Sequence, residues 1–168
     1  MDERAWIELS SFEEDEIWAS VYERLRFKPS IYEKDFPGFR EPKPSITYSF
    51  SDIWGDDFSK LNADLNEKAH AIIRSATTAD DFVYALDWQH QGYKFYPDKA
   101  GSAGNDEWII PVLPDGDYHL FVEKSLAFGW LGHPWEQTIC VFGQPMLVAL
   151  KNHRPKVFRN PIRRRNSF

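Results

Sequence analysis

Apolar residues recur along this chain first at helical and then at strand spacing. Ile17, Trp18, Val21, Tyr22 and Leu25 fall at i, i+1, i+4, i+5 and i+8, the single stripe of an amphipathic helix. Ser11-Phe12-Glu13-Glu14 has the Ser-x-x-Glu form of a capping box at its start. Pro29 disfavours helical geometry at Lys28, so the helix stops before it. Residues 28–45 carry Pro29, Pro37, Pro42 and Pro44 and read as an extended connector, followed by a short strand over Ser45–Phe50. Phe58, Leu61, Leu65 and Ile72 then predict a second helix from Asp56. Asp56 and Asp57 set negative charge where its first backbone N–H groups are free.

The second half changes period. Phe82–His90 alternates with both faces apolar until Asp87, the pattern of a central strand running out to a rim. Gly92 turns the chain into a strand at Tyr93–Tyr96, and Pro97–Asn105 reads as a Gly- and Ser-containing loop. Further strands are expected at Trp108–Val112, Tyr118–Glu123 and Trp135–Phe142. A proline-initiated turn (Pro114-Asp115-Gly116-Asp117) and a bend bracketed by Gly129 and Gly132 separate them. Gly143-Gln144-Pro145 opens a short helix through Met146, Leu147 and Leu150. The sum is an α+β fold, two amphipathic helices packed on an antiparallel sheet of about four to six strands. A small closed β-barrel with helices is the alternative.

Composition narrows this further. A chain of 168 residues, 42% hydrophobic and 27% charged, can bury a core without staples. The lone Cys140 cannot form an internal disulfide. The acidic N-terminus has no export pattern and no run is long enough to span a membrane, so the cytoplasm is the expected address and no membrane partner is expected. Residues 151–168 hold seven Lys and Arg and no Asp or Glu. Removing them from the formal net charge of −6 leaves −13 on residues 1–150. The expectation is therefore an acidic α+β domain over 1–150 with a basic C-terminal tail over 151–168. The body suits a basic protein partner and repels nucleic acid.

Three ordered segments, LDWQHQGYKFYP, PDGDYHLFV and GWLGHPWEQTICVFG, carry unusual residues: Asp87, Trp88 and His90; Pro114 to Tyr118; Gly132, His133, Pro134, Trp135 and Glu136. Together they resemble a bacterial family of uncharacterised proteins, a domain of unknown function. The resemblance implies those positions as a signature and implies no activity.

Candidate chemistry centres on the same segments. Asp87, His90, His133 and Glu136, with Asp115 and Asp117 nearby, offer imidazoles and carboxylates. On a strand, however, i and i+3 side chains point to opposite faces, which separates His133 from Glu136 and Asp87 from His90. The competing role for these residues is to satisfy backbone donors at strand ends. No metal-ligand spacing is present, and neither metal nor cofactor is expected. Cys140 reads as a buried hydrophobe, Ser125 lacks a nucleophile elbow, and Gly101–Gly104 lacks the residues of a phosphate loop. Most of the aromatic residues are core. Trp130 and Trp135, flanked by Gly129, Gly132 and Pro134, are expected to bind.

The leading expectation is thus a binding protein, taking a small molecule or a basic protein partner in an immunity-like manner. Its site would comprise Asp87, His90, Asp117, Trp130, His133, Trp135 and Glu136 at one sheet edge. The alternative is a small hydrolytic enzyme using Asp87, His90, His133 and Glu136. Both require the DWQH and GHPWE segments to meet.

Overall fold

A computed structural model describes residues 2–101 and 107–167. One antiparallel sheet runs through it, its strands β1 (Trp6–Glu8), β2 (Ser45–Ser49), β3 (Val83–Asp87), β4 (Tyr93–Phe95), β5 (His119–Val122), β6 (Gly129–His133), β7 (Thr138–Phe142) and β8 (Pro161–Arg165). Their spatial order is β1-β4-β3-β5-β6-β7-β2-β8, so the sheet is open, with β1 and β8 at its edges. Three helices cover it: α1 (Ser11–Arg24), α2 (Phe58–Ala76) and α3 (Gln144–Asn152). The α+β architecture holds, with eight strands in place of the expected four to six and no barrel closure.

Strand alternation divides the core in two. Ile17, Val21 and Leu25 of α1 pack with Leu120, Val122, Leu131 and Cys140 on one face of the sheet. Leu65, Ile72 and Ile73 of α2 and Met146 and Leu150 of α3 pack with Phe121, Trp130, Ile139 and Val141 on the other. Each such side chain contributes about 1.5–3 kcal/mol on burial. The helix stripes were legible because burial demands one apolar side. The α1 cap is displaced by one residue: Ser10 accepts from the Glu13 N–H and the Glu13 carboxylate accepts from the Ser10 N–H.

Several expected elements differ. Trp108–Val112 is not a strand. Its carbonyls are engaged by side chains, Val112 O by Trp130 Nε1 (3.1 Å) and Pro111 O by His119 Nδ1 (2.9 Å), so the segment needs no ladder. Gly129 and Gly132 do not bend the chain but lie within β6. A Cβ at Gly129 would stand 2.6 Å from Phe121 O, so the glycine serves close strand approach. The strand expected from Trp135 begins at Thr138, and residues 134–137 form the β6–β7 turn. Residues 102–105 of the expected Pro97–Asn105 loop, and with them most of Gly101–Gly104, lie outside the described residues. Within the basic segment 151–168, Pro161–Arg165 pairs with β2 as an edge strand.

Candidate functional site

The register brings the signature segments to one end of the sheet. Asp87 on β3 lies opposite His119 on β5, and His119 lies opposite Gly132 on β6, next to His133. Tyr118 joins the two turns. Its ring lies 6.1 Å from Trp88 and 4.8 Å from His133, and its hydroxyl donates to Ser30 O at 2.5 Å while accepting from Ser30 N at 2.8 Å.

Two clusters result at this sheet end, and the strand residues that anchor them lie on opposite faces. Asp87 and His119 share strand parity with Ala85 and Phe121, on the α2/α3 face. His133 shares parity with Leu131, on the α1 face. The parity objection within each segment disappears because β3 ends at Asp87 and β6 at His133. Each turn curls its later residue back.

In the first cluster, His90 Nδ1 lies 3.1 Å from Asp87 Oδ1 and 3.5 Å from Asp117 Oδ2. His119 Nε2 lies 3.6 Å from Asp87 Oδ2. The hydrogen bond to Asp87 holds the His90 pKa above the usual imidazole value. Burial, aided by the Asp87 charge, lifts the Asp117 carboxyl above its ordinary range, against the pull of the Tyr118 N–H.

In the second, His133 is buried, and its Nδ1 accepts from the Glu136 N–H at 3.0 Å, fixing the turn. The proton of the neutral ring therefore sits on Nε2, which has no hydrogen-bond partner and lies among the rings of Phe36, Phe39 and Tyr118. Burial lowers the His133 pKa to about 4. Glu136 is held by Arg163 of β8 through two bonds of 2.9 and 2.7 Å, and by the Thr138 hydroxyl. Burial raises its pKa, but these bonds outweigh that and keep it below the carboxylate norm. Arg163 also clamps buried Glu41, which accepts from Thr47.

Of the expected site residues, Asp87, His90 and Asp117 meet, and His133 and Glu136 meet separately. Trp135 is half-exposed on the β6–β7 turn, beside a hollow of about 580 Å³ lined with Ile31, Glu33, Phe36 and Glu136. Trp130 is corrected: it points into the α2/α3 core, fully buried, and is not a surface residue. Cys140 is buried, with its thiol pushed up to about 12 by burial. His119 was overlooked, although alternation from Asp117 placed it on the same face. Glu41 and Arg163 had no local signal, being 122 positions apart in the chain.

A groove of about 490 Å³ runs between the outer face of α1 and the DWQH turn, lined by Glu14, Asp15, Trp18, Tyr22, Trp88, Gln89, His90 and Gln91. Trp88 Nε1 donates to the Tyr22 hydroxyl at 2.7 Å, which holds both rings at the groove wall.

A three-layer protein with one helix and two helices on opposite faces of an open antiparallel sheet, and a histidine- and carboxylate-bearing sheet end, is the class these features define. The chain belongs to the DUF2716 family, described as a protein of unknown function, whose model matches residues 8–147. It is 35% identical over 162 residues to the uncharacterised protein YxiI of Bacillus subtilis (strain 168), covering 92% of this chain and 98% of that one. No solved structure matches it. No helix among the described residues is long and apolar enough to cross a membrane.

Proposed function

We propose that this protein is a binding module that receives a basic protein partner in the groove between α1 and the DWQH turn, in the manner of an immunity protein. The observation that carries the reading is the groove's composition: Glu14 and Asp15 stand beside Trp18, Tyr22 and Trp88, and no lysine or arginine lines it. Carboxylates beside aromatic faces suit an arginine or lysine side chain, by ion pairing and by cation–π attraction of about 0.5–2 kcal/mol. The −13 charge of residues 1–150 would steer such a partner toward it. Trp135, half-exposed on the neighbouring turn, extends the same sheet end. The hydrolytic alternative has less support, because Asp87 and His133 are set on opposite faces of the sheet by strand parity, and His90 and Glu136 each bond within their own turn.

The test is titration of an arginine-rich peptide into the full chain, followed by tryptophan fluorescence and calorimetry. Binding should weaken as salt rises. Asp15→Lys, a change at an exposed position, should weaken it by about tenfold, a difference of ~1.4 kcal/mol. Affinity indifferent to both salt and Asp15→Lys would overturn the reading.

A further inference from the structure

We propose that Asp87, His90 and Asp117 form a site for one divalent, zinc-class metal ion, with His119 supplying a further nitrogen from beneath. One oxygen or nitrogen from each of the first three residues lies within 4.8 Å of the others. The separations of 3.1 and 3.5 Å from His90 Nδ1 to the two carboxylates bracket the spacing of roughly 3.4 Å between ligands held about 2.1 Å from a tetrahedral ion. Asp117 Oδ1 is already bound to its neighbour's N–H, which orients Oδ2 toward His90.

His119 is the independent observation. Its side chain is 4% exposed, and its Nδ1 lies 2.9 Å from the Pro111 carbonyl, which only accepts. The proton of the neutral ring therefore sits on Nδ1, and the Nε2 lone pair faces Asp87 Oδ2 at 3.6 Å. In that neutral ring two acceptors face one another, an arrangement that a cation set between them satisfies. A backbone carbonyl fixing one ring nitrogen so that the other can ligate is the usual outer support of a metal-binding histidine. Among the described residues, moreover, neither Asp87 nor Asp117 has a lysine or arginine partner; their ion-pair contacts are to His90 and His119 alone. The side chain of His90 is 62% exposed, which leaves the ion an outward position for water or a ligand atom. His90 is free of the strand spacing that would set it opposite Asp87, because the chain turns after Asp87.

The experiment is titration of chelator-treated full-length protein with zinc alone, by calorimetry at neutral pH, with cobalt substitution read by its visible d–d absorption. The expected result is one zinc per chain at micromolar or tighter affinity and a cobalt spectrum of low coordination number. His90→Ala and Asp117→Asn should each weaken zinc by about tenfold or more. His119→Asn keeps a donor for Pro111 O while removing the inward nitrogen, and should weaken it also. His153→Ala, outside the cluster, should change nothing. Circular dichroism of each variant separates lost ligation from lost folding. Absence of saturable binding below millimolar zinc, or a His90→Ala/Asp117→Asn double variant that binds like the parent, would overturn the assignment. Zinc binding is read without any peptide, so it stands or falls apart from the groove.

Discussion

His133 shows how a single residue can look chemical and act structurally. Its burial holds the pKa near 4, well below the unfolded value of about 6.5. Between those two values the unfolded chain binds the proton and the folded chain does not, so stability rises with pH across that window and is lost as pH falls through it. The full shift corresponds to about 3 kcal/mol. Glu136, with its pKa lowered, adds stability that starts to be lost as pH falls through the ordinary carboxylate value. His133→Asn keeps an acceptor for the Glu136 N–H and removes the titration. Chemical denaturation from pH 7 to pH 4 should accordingly give a flatter stability profile in the variant than in the parent. The sequence marked His133 and Glu136 as a pair and offered the backbone-donor role that His133 takes at the turn, but not the partners Phe36, Tyr118 and Arg163, which come from elsewhere in the chain.

At the scale of elements, local signals located helices well and strands less well. The cap of α1 rests on Ser10, so Ser10→Ala should lower stability by about 1 kcal/mol, whereas Ser11→Ala should leave it nearly unchanged; thermal melts compare the two. A helix carries its periodicity and cap within one stretch, which is why this one was misplaced by a single residue only. Strand β6 was hidden because its two glycines signal a bend in sequence, while in the sheet they permit close packing. Strand β8 was hidden by its charge, PIRRR having only Ile162 as an apolar side chain apart from its proline. Besides the ladder to β2, its Arg163 anchors it by bridging Glu41, 5% exposed, and Glu136. Arg163→Met strands two carboxylates and should cost about 2–4 kcal/mol. Adding Glu41→Gln and Glu136→Gln should return part of that in a mutant cycle read by urea denaturation.

Across the whole molecule, the open sheet makes its edges consequential. Deleting residues 160–168 would leave β2 as a bare edge and remove the counter-charge of buried Glu41 and partly buried Glu136. The expected outcome is lower solubility and a shallower unfolding transition, checked by light scattering and calorimetry. The same architecture separates the two histidine clusters: a sheet one strand thick puts neighbours on opposite faces, so Asp87 and His133 share a sheet end without sharing a cleft. Tyr118 and the α1-side rings connect the turns, and the groove beside them lies where α1 crosses the DWQH turn.

The sequence by itself determined what depends on near neighbours: the amphipathic stripes of α1 and α2, the proline-opened α3, the α+β class, and the residues of the two polar turns. Tertiary structure alone decided the eight-stranded order, the burial of Trp130, the clamp on Glu136 and the meeting of His119 with Asp87. Those outcomes follow from pairing between segments far apart in the chain. Each residue's periodicity records which side must be buried, but not which distant partner buries it.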